Sequence, residues 1–142
     1  MATTTGTTVL YDSWTEDMME TANSGSDTFK MLLTTSSYTP AASDSVISDI
    51  DNEVSGNGYA RFEHTATSAQ TSGTYTFDLD NATFTADSGS IVARYYVIYD
   101  DSLANDPLVC YGLLDETPAD VTTTDTNTLT VTVNASGLFT IA

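Results

Sequence analysis

The stretch SIVARYYVIYDDS, Ser90 to Ser102, decides how the rest of the chain is read. Successive side chains of a strand point to opposite faces. As a strand it puts Ile91, Ala93, Tyr95, Val97 and Tyr99 on one face. Val92, Tyr96 and Ile98 fall on the other, with Arg94 among them. A half-buried strand alternates apolar and polar residues; this one is apolar on both faces, so both need a cover. The next apolar run, PLVCYGLLD from Pro107, follows a short loop. Pro107 suits the first position of a strand, and so short a connection makes the two runs a hairpin. The two longest apolar strands therefore sit side by side at the centre of the fold. One face packs on an opposing sheet. The second is left for the N-terminal helix, a long loop or a neighbouring subunit.

Working outward, strict alternators frame this centre. In TYTFDLD, Tyr75, Phe77 and Leu79 point inward; in TLTVTV, Leu129, Val131 and Val133 do. Such patterns belong to antiparallel sheets with one wet face. Shorter strands are read at Thr7–Tyr11, Thr28–Leu33, Tyr59–Thr65, in ATFTA and in LFTIA. Tyr59, Arg61 and Glu63 share one face of theirs. Trp14, Met18 and Met19 recur at helical spacing after a capping Asp12 or Ser13, which predicts one short N-terminal helix. Ser45–Val54 is read as one or two helical turns. The 142 residues show no composition break. The expected fold is all-β: an antiparallel β-sandwich of about eight strands with one short N-terminal helix. Residues 1–8 are a flexible N-terminal arm and 9–142 a single domain.

Charge narrows the function classes. Twenty acids face three bases, Lys30, Arg61 and Arg94, for a net −17. Phosphate binding rests on Lys and Arg, so neither nucleic acid nor an anionic membrane is an expected partner. The three bases are read as structural ion pairs, with an inter-subunit contact as the alternative for Arg94. No run reaches the ~18 apolar residues of a membrane helix. The N-terminus MATTTGTTVL lacks a basic and an apolar region, so use without Sec export is expected, and the sequons at Asn81 and Asn134 are incidental.

Chemistry-bearing residues are few. His64 is the single histidine, so any triad or imidazole acid–base must use it; a surface or strand-end role is expected. Cys110 stands alone in an apolar run and reads as a small buried hydrophobe, with no disulfide framework. Asp49, Asp51 and Glu53 alternate but lack the glycine of an EF-hand loop, and Asp78, Asp80 and Asn81 fail the same pattern. Both read as solvated turns. VSGNGY lacks the spacing and lysine of a phosphate loop; Gly56 and Gly58 supply turn freedom. No catalytic, cofactor-binding or metal-ligating residue is assigned, no cofactor is expected, and the chain is read as a non-enzyme.

Taken in order, LYDSWTEDMME, DTFKMLLTTSSYTP, SDIDNEVSGNGYARF and FTADSGSIVARYYVIYDDSLANDPLVCYGLLD resemble a group of small virion structural proteins of tailed bacteriophages. The similarity is one of pattern and runs from about Val9 to the C-terminus. Its most telling pieces are DNEVSGNGY, with Glu53, Gly58 and Tyr59, and ARYYVIYDD followed by PL. The resemblance implies a virion role and supplies no site. From it we expect a capsid decoration, or cement, protein on the outside of the major capsid protein shell, assembled in the bacterial host cytoplasm. The arm would order on a neighbour, and a homo-oligomer, with a trimer favoured, would cover the central strand. A neck, tail or fibre component is the alternative within the same particle. A receptor- or glycan-binding module, resting on Trp14, Tyr38 and Tyr111, is the alternative of another class.

Overall fold

The computed structural model describes residues 2–4, 6–11, 27–71 and 74–141. Among them thirteen short strands replace the expected eight or so. The helix expected around Trp14 lies outside the described residues. At the centre is a five-stranded antiparallel sheet in the order β2 (Thr8–Leu10), β10 (Leu108–Leu113), β9 (Tyr95–Asp100), β3 (Phe29–Thr34) and β4 (Phe62–His64). The apolar hairpin sits at its middle, as the short loop requires: Val97 lies opposite Tyr111 and Tyr96 opposite Gly112.

Ser90–Ser102 is not one strand. It breaks at Arg94 into β8 (Ile91–Ala93) and β9. The Arg94 N–H is donated to the Thr34 carbonyl, and its own carbonyl accepts the Leu114 N–H. Those two bonds hold the backbone at the point where the chain changes sheets. β8 then pairs with β11 (Val121–Thr123) in a separate two-stranded ribbon.

Register assigns the two faces of the central sheet. On the first, Phe29, Met31 and Leu33 lie beside Asp100, Ile98 and Tyr96. This face packs on β6 (Thr74–Leu79), β7 (Ala82–Thr85), β12 (Thr128–Val131) and β13 (Phe139–Ile141). Phe29 meets the Phe77 ring edge-on with centroids 5.0 Å apart, and Phe77 meets Phe139 at 5.2 Å. β13 and β6 continue to β5 (Ala66–Thr71), and β12 lies between β7 and β1 (Ala2–Thr4).

On the second face lie Leu32, Thr34, Tyr95, Val97 and Tyr99. Its cover is a long loop, one of the three expected solutions. The loop runs from Thr35 to Arg61 and is stitched down at both margins. Beside β3, the Val54 N–H is donated to the Leu33 carbonyl and the Thr35 N–H to the Asn52 carbonyl. Beside β10, Leu108 N–H bonds the Ser45 carbonyl and Ile47 N–H the Asp106 carbonyl. Between these margins Tyr38 packs edge-on against Tyr95, with centroids 6.3 Å apart. The helical turns expected in Ser45–Val54 shrink to a single 3-10 turn, Ile47–Asp49. The Asp49 carboxylate accepts the Ser45 and Val46 N–H groups there.

Two further expectations are corrected. Tyr59 and Arg61 are not in a strand: only Phe62–His64 pairs with β3. Before it, Gly56, Asn57 and Gly58 all hold positive φ, which turns the chain; Tyr59 then lies at the β3 edge with its ring stacked on Phe84 of β7, and Arg61 reaches Tyr99 on the second face. The segment read as a free arm also lies on the chain itself. Ala2–Thr4 runs parallel to β12, while Thr8–Leu10, within the strand expected at Thr7–Tyr11, is an edge of the central sheet.

Gly112 exposes how closely the first face is packed. A Cβ there would stand 2.5 Å from the Tyr96 hydroxyl oxygen and 2.6 Å from its Cε1. The ring cannot swing freely, because it is buried and its hydroxyl is hydrogen-bonded to Thr8 Oγ1. Gly112→Ala is expected to destabilise the fold by about 2 kcal/mol through overpacking. Urea unfolding checks this; an unchanged midpoint would contradict it.

Candidate functional site

The described residues offer three places where polar groups converge, and each is built on the central sheet. The first is the clamp over the second face. Arg61 Nε and Nη2 donate to the two Glu53 carboxylate oxygens at 2.8 and 2.7 Å. Its Nη1 donates to the Tyr99 hydroxyl at 2.9 Å, and the guanidinium carbon lies 5.3 Å from that ring's centroid. Tyr59 donates its hydroxyl to Glu53 and accepts the Leu33 N–H, continuing the ladder past the end of β4. Burial alone would raise the Glu53 carboxyl; Arg61 and Tyr59 reverse that and hold it below its ordinary value. Planar, two-point pairing of this kind fixes geometry as well as charge.

The other two cations are also ion-paired. Lys30 Nζ lies 2.6 Å from Asp101, and Arg94 Nε 2.9 Å from Asp120. Among the described residues all three bases of the chain are thus neutralised internally. Arg94 is paired within its own chain, as the structural reading of it expects.

The second place holds His64 at the end of β4. It is at a strand end, as expected, but buried instead of on the surface. Nδ1 faces the Asp80 backbone carbonyl at 2.9 Å and its carboxylate at 3.2 Å. Burial outweighs Asp80 and pushes the imidazole pKa down, so the ring is neutral at pH 7. Nε2 has no hydrogen-bond partner among the described residues. The pair therefore presents no hydroxyl positioned as a nucleophile. Cys110 is fully buried, and burial pushes its thiol well up, away from thiolate chemistry.

The third place escaped the sequence reading. Asp100 ends β9 and is fully buried. Its Oδ1 accepts the Ser102 N–H at 2.8 Å, and the Asp27 carboxyl is near enough to act on it electrostatically. Oδ2 has no hydrogen-bond partner among the described residues. Burial, with Asp27 adding to it, pushes the Asp100 carboxyl up to about 6. His64 and Asp100 flank Phe29 on the same face. Two strand spacings, roughly 10 Å, keep them from acting on each other.

Of the remaining sequence candidates, Asp78 is not in a turn as expected but in strand β6, paired with Thr67, where it accepts the Leu79 N–H; Asn81 Oδ1 accepts the Val133 N–H. Asn134 Oδ1 accepts the Ser136 N–H, so both sequon asparagines carry local bonds. Among the described residues no three His, Cys, Asp or Glu side chains gather as metal ligands, and no helix is long and apolar enough to cross a membrane. A cavity of about 450 Å³ opens between the first face and the β12–β13 turn, lined by Thr8, Met31, Tyr96, Ile98 and Val131 among others. Among the described residues no Asp, Glu, Lys, Arg or His lines it. Of the aromatics considered for glycan binding, Tyr38 is buried in the core, Tyr111 packs on Tyr11, and Trp14 lies outside the described residues.

Comparison with protein-family models, with curated proteins and with solved structures finds no match in any of the three.

The buried acid has a pH signature of defined sign. The unfolded carboxyl titrates near 3.8 and the folded one near 6. Between those values the folded state holds the extra proton, so stability falls as pH rises, by roughly 3 kcal/mol across the window. Asp100→Asn keeps an acceptor for Ser102 and offers Asp27 a donor. It is expected to unfold at higher urea than the parent at neutral pH, with the difference vanishing below about pH 4. Parallel urea titrations across pH test this; a pH-independent difference would contradict it.

Proposed function

We propose that this chain is a structural protein of a tailed-bacteriophage virion, a decoration or cement protein on the outside of the major capsid protein shell. The observation that carries the reading is where the residues of the resemblance fall. Glu53 and Tyr59 of DNEVSGNGY build the clamp on Leu33 and Tyr99. Gly58 holds φ at +79° in the turn that delivers them. ARYYVIYDD holds the break at Arg94 and the central strand β9, and Pro107 of PL bridges to Val46 in the covering loop. The shared pattern is thus scaffold, the part a structural protein selects, and not a catalytic constellation.

Charge supports the same reading. With each base paired internally, the surface offered to a neighbour is acidic or neutral. Such a surface stays soluble at high local density and repels free DNA. We read the two packed layers as an antiparallel sandwich, with one end of it against the shell and the weak contact multiplied over the lattice. Residues 2–4 and 8–10 are pinned in the chain's own sheets, so the contact is assigned to the sandwich end instead of a free arm. The covering loop likewise replaces the subunit once invoked to shield β9, and with it goes the physical argument for a trimer.

A neck, tail or fibre component is separated by stoichiometry. The copy number of the chain in purified particles, by quantitative mass spectrometry against the major capsid protein, is expected in the hundreds. Tens or fewer would move it to the tail or neck, and absence from particles would overturn the virion reading.

A further inference from the structure

The acids of this chain are unevenly placed. Residues 65–77, TATSAQTSGTYTF, contain no charged side chain, and neither do residues 126–142. These segments supply β12 and also β5, most of β6, and β13, the last three of which form one three-stranded sheet in the order β13-β6-β5. Asp78 is the one acid within its strands. In a chain carrying −17, this is a sheet from which charge has been withheld.

β5 is also the longest edge. It spans six residues, Ala66–Thr71, and pairs with β6 along its whole length. The outer edges of the other sheets are β1, β2, β4, β7, β8 and β11, of three or four residues. β4 carries Glu63, and β7 lies beside β4. An exposed edge presents unpaired N–H and C=O groups, and proteins normally blunt it with lysine, proline, a bulge or an inward charge. β5 has none of these: its sequence is ATSAQT, and its register with β6 runs without a shift. Thr67, Ser68 and Ala69 are exposed.

We propose that β5 pairs antiparallel with β5 of a second copy of this chain, about a two-fold axis perpendicular to the sheet near Ser68 and Ala69. The result is one continuous sheet, β13-β6-β5 followed by the partner's β5-β6-β13. A second copy fits the edge because isologous pairing sets an uncharged strand against an identical one. A cationic partner would gain nothing there and would go to the acids elsewhere. Two copies of so acidic a chain repel each other except where acid is absent. Asp78 sits opposite Thr67 in the register. Across three strand spacings and a two-residue offset, the two Asp78 carboxylates stand roughly 16 Å apart. That is about twice the Debye length at physiological salt. The inference is independent of the virion reading.

Sedimentation velocity over a concentration series tests it, with Ala69→Lys as the variant. Ala69 is exposed and lies opposite Thr76, away from the inward Phe77. The lysine blocks the edge while lowering the net negative charge. Thr122→Lys on β11, also exposed, makes the same charge change away from the edge. The parent and Thr122→Lys are expected to sediment at twice the chain mass, and Ala69→Lys at the single-chain mass with an unchanged circular dichroism spectrum. Deuterium exchange adds a readout on the parent alone: amides of Ala66–Thr71 slow as concentration rises. A monomeric parent, a trimer, or a dimer that survives Ala69→Lys with unprotected β5 amides would overturn the proposal.

Discussion

The structure depends on covering both faces of one strand. β9 carries Tyr95, Val97 and Tyr99 on one side and Tyr96, Ile98 and Asp100 on the other, and nearly all of it is buried. Burying an aromatic removes on the order of 150–250 Å² from water, so leaving either face wet would forfeit a large part of the stabilisation. The first face takes an ordinary solution, packing against further strands. The second is closed by a loop, and a loop has backbone polar groups that need partners when it is laid on a sheet. Here they are met by pairing at the two margins with β3 and β10, and by the Tyr59 hydroxyl where β4 runs out. Arg61 then serves both chemistries. It pairs with the Glu53 carboxylate and lies over the Tyr99 ring.

That arrangement explains why so few charged groups remain available. A chain with three bases has placed each where an acid and a packed ring or strand end meet. Lys30 lies opposite Tyr99 across the strands, Arg61 bonds its hydroxyl, and Arg94 marks the sheet switch. Among the described residues, most of the remaining acids occupy loops and turns, where water solvates them at little cost. Asp100 is the exception. It is buried at the end of the central strand beside Asp27, held by the Ser102 turn, and its position is tolerable because it can keep a proton.

The parts of this fold legible in the sequence are those set by local pattern. The β9–β10 hairpin followed from two apolar runs and a short loop, and β6 and β12 from strict alternation. The parts that were not legible come from contacts between distant segments. The break at Arg94 leaves no local signal, since no glycine or proline marks it; it is imposed by Thr34 and Leu114. Tyr59 and Arg61 look like in-strand residues because their spacing alternates, yet after the turn at Gly58 Tyr59 stacks on Phe84 at the β3 edge and Arg61 reaches Tyr99. The carboxyl pair joins segments far apart in the chain, and nothing near either aspartate announces it. His64 was placed correctly at a strand end, but its burial depends on the Asp80 turn reaching it.

The central claim is that the loop Thr35–Arg61 covers β9 within a single chain. Isotope-filtered cross-relaxation on a mixture of labelled and unlabelled protein tests it most directly. The account predicts intramolecular transfer between the Tyr38 and Tyr95 rings, whose centroids lie 6.3 Å apart, and between Arg61 and Tyr99. It predicts no transfer between chains at these positions. Transfer seen only between labelled and unlabelled chains would mean that a neighbour supplies the cover, and would contradict the account.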